Sequence, residues 1–453
     1  WAFIATNIYS INVYEVIMNY NVALTFYEGK ESIKKAIELS GALKNLKSSD
    51  KVFIKPNIVF WAKVPFPKWG VITTTSVITE VIELVKDNGI NNITIGEGIV
   101  TLKPNDKETA AHAFESLGYN VLSNRYGVNI INIFDRPFEK VALDNEIEIS
   151  LNTDALHSDF LINIPVLKTH AQTIVSLGLK NLKGLLNIPS RKKFHNLDEN
   201  KNLHYMISKL YTLLPKGATI IDGIYTLERG PSFDGKPRRS NIIIASEDTL
   251  SADLVGAKVL GHDPETITYL DLAAKNEGRT TELSNINICG ESINDISSYH
   301  EYTFPYNEDG SLPEKLYKMG VTGLSYPKYD NTMCTYCAAL NGAVLTAITF
   351  AWQGKEWDSI EVLTGKKMQP SGNKKYTILL GQCMTNLHKN NPNINAIPIR
   401  GCPPDPMETV KAFHKVGIEI NPLIFEHLDI APTYYMERYK NKPEFEEEFY
   451  TLK

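Results

Sequence analysis

Lys51-Val-Phe-Ile-Lys-Pro-Asn57 is a short apolar run that ends on a cation, a proline and an amide. Val52, Phe53 and Ile54 read as a buried strand, and the polar residues after them as its exit from a sheet. The same pattern returns along the chain. Ile93-Thr-Ile-Gly-Glu-Gly98, Asn129 to Phe134, Phe160-Leu-Ile-Asn-Ile-Pro165, Ala218-Thr-Ile-Ile-Asp-Gly223 and Asn241 to Asp248 each place an apolar run before a polar tip. Helical spacing fills the gaps. Glu31 to Leu46 carries Ile33, Ala36, Ile37, Leu39 and Leu43 on one side, Thr73-Thr-Thr-Ser76 caps a helix over Val77 to Asn88, and Glu108 to Leu117 gives another. Alternating strands and helices predict an α/β fold with a largely parallel sheet and helices on both faces.

In such sheets ligands gather where strands end, which singles out Lys55, Asn57 and Glu97. The densest polar stretch follows Pro165. Val166-Leu-Lys-Thr-His170 leads into a run with helical character to Leu179, then Lys180-Asn-Leu-Lys-Gly184. Lys168, Lys180 and Lys183 beside apolar chain suit phosphate or carboxylate binding, with Asn181 among them. His170 suits an acid, a base or a metal ligand. A solvated helix face is the ordinary alternative for the lysines, and a turn for Asn57. Arg191-Lys-Lys-Phe-His195 reads either as a lid over an anion or as an exposed polar loop. Asp248 and Asp253 read as helix caps, whereas Asp222, at a strand tip, is the carboxylate expected to act. The resulting assignment is catalytic for His170, Lys168 and Asp222. Lys55, Asn57, Glu97, Lys180, Asn181 and Lys183 are expected to bind an anionic substrate.

These pieces carry a resemblance. Ile54-Lys-Pro-Asn57, Gly96-Glu-Gly98, Asn163-Ile-Pro-Val-Leu-Lys-Thr-His170, Leu179-Lys-Asn-Leu-Lys-Gly184, Ile221-Asp-Gly223 and Ala252-Asp253 resemble domain-of-unknown-function family 362 across roughly residues 45–280. The resemblance implies an α/β domain paired with a redox centre. It implies no particular reaction.

The second cluster of chemistry lies in Cys334-Thr-Tyr-Cys337, Gly381-Gln-Cys383-Met-Thr385 and Arg400-Gly-Cys402-Pro-Pro-Asp-Pro406. Cys383 follows the strand Tyr376 to Leu380, and Cys402 follows Ala396 to Ile399, so both arrive at the rim of a small α/β layer. An iron–sulfur cluster, a structural zinc, and disulfides or free thiols are the competing readings. Zinc sites usually pair two CxxC halves, and here the second half is two isolated cysteines. Pro403 and Pro404 stiffen the last loop, as prolines beside cluster ligands do. The three motifs resemble the proximal-cluster motif of nickel–iron hydrogenase small subunits and the related subunit of respiratory complex I. That resemblance implies a 4Fe-4S cluster on a flavodoxin-like layer, with Cys334, Cys337, Cys383 and Cys402 as its ligands.

The remaining residues bound the reading. A hydrophobic content of 43% and a charged content of 22% over 453 residues are those of an ordinary globular chain with two or three domains. A formal net charge of −5 argues against nucleic acid as the main partner. No apolar run is long enough to predict a membrane span. Gly96-Glu-Gly98 lacks the third glycine of a dinucleotide fingerprint. Trp1 to Ile11 reads as structured chain, Cys289 as a core thiol at a strand end, and the Glu444 to Glu448 run as a solvated face. The expected layout is an α/β domain over 1–285, a linker over 286–325 and a cluster domain over 326–453. A cytoplasmic, anaerobic setting is expected. The leading functional reading is an oxidoreductase that relays electrons between a redox partner protein, either ferredoxin-like or a complex subunit, and an anionic small molecule. Its rivals are a non-catalytic electron carrier and a metal-dependent isomerase or lyase. In the last, the cluster is structural and His170 with Asp222 holds a second metal.

Overall fold

A computed structural model describes residues 20–101 and 106–452. The stretch Trp1 to Ile11 lies outside them. The strands run β1 (Tyr20–Phe26), β2 (Val52–Lys55), β3 (Ile93–Glu97), β4 (Asn129–Asn132), β5 (Phe138–Ala142) and β6 (Glu148–Asn152). Then follow β7 (Phe160–Asn163), β8 (Val166–His170), β9 (Ile174–Ser176), β10 (Gly217–Glu228), β11 (Lys236–Ser246) and β12 (Ile286–Gly290). The last four are β13 (Leu324–Ser325), β14 (Ile360–Leu363), β15 (Tyr376–Leu380) and β16 (Ala396–Ile399).

The large sheet has the order β12-β1-β11-β10-β7-β2-β3-β4. From β10 to β4 every pair is parallel, as the alternation predicts, while β11 lies antiparallel between β1 and β10. Both faces are covered. Ile54, Ile95, Ile162 and Ile220 enter one core, and their neighbours Phe53, Leu161 and Ile221 enter the other. That alternation is the period of two expected of strands buried on both sides. The first core includes Val77, Ile78, Val81, Ile82 and Val85 of the helix Thr75–Asp87, whose start is capped by the Thr74 hydroxyl accepting from Val77 N–H.

Three sequence expectations change here. The run from Ala171 to Leu179 is not helical. β8 and β9 form a hairpin with Lys168 opposite Ser176 and His170 opposite Ile174, and the helix that follows covers only Gly178–Asn181. β-branched Thr169 and Val175 favour that extended course, and β10 is long enough to pair with β7 at one end and β8 at the other. Second, Ile286–Gly290 falls in the stretch expected to be linker, yet forms the edge strand beside β1. Cys289 is therefore partly exposed on that edge, not a core thiol. Third, the acidic run near the carboxyl end is not a free face. Glu446 pairs with Arg239 at 3.2 Å and Glu447 with Lys68 at 2.7 Å. Between these pairs Phe445 packs on Trp69 and Tyr225, at 5.2 and 6.0 Å between ring centres.

The smaller sheet is parallel throughout, in the order β13-β14-β15-β16. Successive strands add in one direction, without the reversal of strand order that marks a flavodoxin-like sheet. Its core includes Val344, Ile348, Ile360, Ile378 and Phe413. The helix Pro406–Lys415 buries Val410 and Phe413, as its spacing predicts.

Candidate functional site at the strand ends

The carboxyl ends of β2, β3 and β7 meet in a buried polar network. Lys55 and Glu97 are paired at 2.8 Å with side chains 0% and 1% exposed. Glu97 also accepts from Ile58 N–H at 2.9 Å and Gly98 N–H at 2.6 Å, while Lys55 Nζ donates to Pro56 O at 2.6 Å. Asn181 Nδ2 donates to Asn163 Oδ1 at 2.8 Å and to Lys55 O at 3.3 Å, while its Oδ1 accepts from Asn57 Nδ2 at 3.2 Å. Asn57 Oδ1 accepts from Lys168 Nζ at 2.6 Å, and the same ammonium reaches Val71 O at 2.7 Å. Burial, with Lys180 nearby, pushes Lys168 down to about 7. The sequence brought Lys55, Asn57, Glu97 and Asn181 forward as ligands for a substrate and Lys168 as a catalytic residue. The structure gathers Lys55, Asn57, Glu97, Lys168 and Asn181, but turns their polar atoms on one another.

Asp222 is engaged differently. Its carboxylate accepts from Thr74 N–H at 2.7 Å and Ile224 N–H at 3.1 Å, which ties β10 to the start of the Thr75–Asp87 helix. Burial raises it to about 6. Asp253 clasps Gly178 and Leu179 N–H in the same way, at 2.6 and 2.9 Å.

Two lysines keep spare donors. Lys180, half-buried, has a single long contact to Ser176 Oγ at 3.4 Å, and burial takes it down to about 7. Lys183 Nζ lies 2.8 Å from His195 Nε2, and His195 Nδ1 lies 2.8 Å from Asn331 O. A carbonyl only accepts, so Nδ1 carries the ring proton and Nε2 receives the lysine's hydrogen bond. His170 has its Nδ1 occupied by Gln172 N–H at 3.1 Å, which leaves Nε2–H without a partner among the described residues. Burial, with Lys180, Lys183 and Lys168 around it, holds His170 well below the ordinary imidazole range.

His195, Arg191, Lys192 and Lys366 were not singled out as site residues by the sequence reading. Arg191 donates to Leu186 O, Gly98 O and Gly184 O; Lys366 donates to the backbone oxygens of Lys192 and His195. Among the described residues no carboxylate forms an ion pair with Lys168, Lys180, Lys183, Arg191, Lys192 or Lys366. The basic spacing at 191–193 was the available signal. What concealed it is that Lys192 and His195 meet Cys402 and Asn331, which lie more than 130 positions further along the chain.

The segment from Asp330 onward packs beside these residues. Gln172 Nε2 donates to Asp330 O at 2.9 Å and Met333 O at 2.8 Å, pinning the segment before Cys334. Cys334 caps the helix Thr335–Ala351 and Cys337 lies in its first turn, while Cys383 lies in the first turn of Gln382–His388. Cys402 follows β16, with Lys192 Nζ 3.1 Å from its Sγ. A hydrogen bond from Cys337 lowers Cys334 to about 5, and Cys337 in turn is raised by Cys334, by burial and by the nearby Cys383 and Cys402. Gly381 has φ +92, and a Cβ there would stand 2.9 Å from Cys337 Sγ, so side chains larger than hydrogen would crowd the thiols. Among the described residues no three of His, Cys, Asp and Glu are grouped tightly enough for one metal ion. No helix there is long and apolar enough to cross a membrane.

Comparison with known proteins places part of the chain. The solved lactate racemase apoprotein of Thermoanaerobacterium thermosaccharolyticum is similar at 13% identity and a TM-score of 0.37, with 54% of this chain and 58% of that one covered. Thylakoid-associated protein sll1697 of Synechocystis sp. is 27% identical over 240 residues, which is 52% of this chain and 71% of the relative. Residues 52–258, which hold β2 to β11 and the whole buried network, match the family described as Domain of unknown function (DUF362).

Proposed function

We propose that this protein is an iron–sulfur oxidoreductase in which Cys334, Cys337, Cys383 and Cys402 hold a 4Fe-4S cluster beside a cation-lined cleft for an anionic small molecule. The observation that carries the reading is the convergence of the four thiols, from three separate segments, against Lys192 and Lys366 of the cleft wall. Such a cluster supplies single-electron transfer when bound, and four thiolates leave no iron open to substrate. The chain's own part is then electrostatic. Lys192 donates to Cys402, and the cations stabilise the anionic thiolate set. Lys180 and the His170 Nε2–H offer donors to a carboxylate or phosphate. A redox partner protein exchanges electrons through the exposed Cys383 and Cys402 side.

Iron and acid-labile sulfide content, with an electron paramagnetic resonance spectrum of anaerobically purified and dithionite-reduced protein, tests this. About four irons per chain and a reduced-cluster signal are expected. Cys383→Ser and Cys402→Ser should lose both. Zinc in place of iron, or full iron in either variant, overturns the assignment.

A further inference from the structure

We propose that Lys183 is a nucleophile that forms a Schiff base with an oxo acid, and that His195 is the group that moves its proton. This deepens the reading of the cleft as an anion site and rests on it for the substrate's charge. The geometry of the pair carries the inference. Lys183 Nζ lies 2.8 Å from His195 Nε2, and the opposite ring nitrogen is fixed on Asn331 O at 2.8 Å. The imidazole is thus held with its lone pair on the amine, the arrangement that activates a nucleophile through an oriented base. His195 is only 4% exposed, whereas Lys183 is half-buried.

The surroundings agree with a neutral amine. Burial, with Lys180, Arg191 and Lys366 around it, holds the Lys183 ammonium well below the ordinary lysine range, against the opposing pull of Cys334. Of the cleft cations, Arg191, Lys168 and Lys366 are occupied by backbone or amide oxygens. Lys180 and His170 Nε2–H remain to take an anionic group. A ligand that satisfies both halves carries a carbonyl for Lys183 and a carboxylate for Lys180, which defines an oxo acid.

The step balances without an oxidant or reductant. The Lys183 nitrogen attacks the carbonyl carbon, and His195 Nε2 takes one amine proton. It returns that proton to the former carbonyl oxygen to give the carbinolamine, whose hydroxyl then leaves as water with the second amine proton, carried by the same ring nitrogen, as C=N replaces C=O.

The test uses the full chain as purified, incubated at pH 7 with sodium cyanoborohydride and either pyruvate or succinic semialdehyde, followed by peptide mass mapping. Selective labelling of Lys183 is expected with at least one probe, faster than at exposed Lys411 by about tenfold or more, since each unit of lowered pKa multiplies the free amine tenfold. His195→Gln should slow that labelling, and Lys183→Arg should leave no privileged lysine. Labelling no faster at Lys183 than at Lys411 with both probes overturns the inference, as does preferred labelling of Lys180. The readout needs no iron. Selective labelling in iron-free protein would uphold this inference while the cluster assignment fell, and an iron-loaded protein without it would do the reverse.

Discussion

Replacing Glu97 with Gln tests the buried network most directly. In the native protein Glu97 is 1% exposed and accepts from Lys55 Nζ at 2.8 Å, Ile58 N–H at 2.9 Å and Gly98 N–H at 2.6 Å. Gln keeps the shape but removes the charge and turns a donor toward one of these three donors. Lys55, 0% exposed, then has only Pro56 O at 2.6 Å, and its ammonium is left in the interior without a counter-charge. Breaking a buried pair by removing one partner costs about 3–5 kcal/mol. Loss of one amide acceptor adds roughly 1 kcal/mol. Lys55→Met should cost a similar amount by stranding Glu97. The double variant Lys55→Met/Glu97→Gln leaves no unpaired charge, so its cost should fall well short of the sum of the two singles, with a coupling of about 2 kcal/mol or more. Urea unfolding of the four proteins, followed by tryptophan fluorescence and circular dichroism, measures this. If Glu97→Gln stays within about 1 kcal/mol of wild type, or the two costs simply add, the pair is not the charge-neutralised unit described above.

Other expectations follow from the same geometry. Gly184→Ala should destabilise by about 1–3 kcal/mol in the same unfolding assay, because its Cβ would stand 2.8 Å from Lys55 Cε and Nζ. Glu80, whose Oε2 is buried without a partner while Oε1 accepts from Tyr27 at 2.6 Å, is raised by burial from 4.5 to about 7. A raised carboxyl contributes stability below its unfolded value that is lost as pH climbs through about 7. Glu80→Gln should therefore flatten the stability profile between those limits and gain relative to wild type at pH 8, by roughly 3 kcal/mol at most. Phe445→Ala should cost about 2–4 kcal/mol and expose the carboxyl-terminal segment to protease, since that ring seats the segment on Trp69 and Tyr225. Lys180→Ala should weaken binding of oxalate as a probe anion at least about tenfold without changing iron content, as loss of a charged hydrogen bond implies. Calorimetry and iron analysis check both halves.

The alternating β–α layout and most strand positions could be read from the chain because they rest on local periodicity. An apolar run of four residues before a polar tip is a strand end wherever the chain later packs. The tips at Lys55, Glu97 and Lys168 do collect at one edge of the sheet, as parallel strands with buried faces require. The return strand β9 was misread as helix because so short a segment matches either period, and what decides is its neighbour β8, itself held by the far end of β10. The strand end at Cys289 was read, but not its place on the sheet edge, since the pairing of Ile286–Gly290 with β1 joins residues more than 260 positions apart in the chain, Tyr20 with Ile286.

Residue types at the site were therefore set by the order of amino acids, and their roles by packing. Sequence supplies a lysine, a carboxylate and two amides at strand tips, but not which donors meet which acceptors. Only the folded arrangement pairs Lys55 with Glu97, occupies Lys168 with Asn57, and commits Asp222 to the Thr74 amide. It also joins Lys183 to His195 and His195 to Asn331 from the other domain. The physical reason is that a buried polar group must be satisfied by whatever the tertiary contacts place within about 3 Å of it. That choice is made across the chain, where local patterns carry no information. What remains unsatisfied after that matching, Lys180 and His170 Nε2–H, is what the cleft has left to offer a ligand.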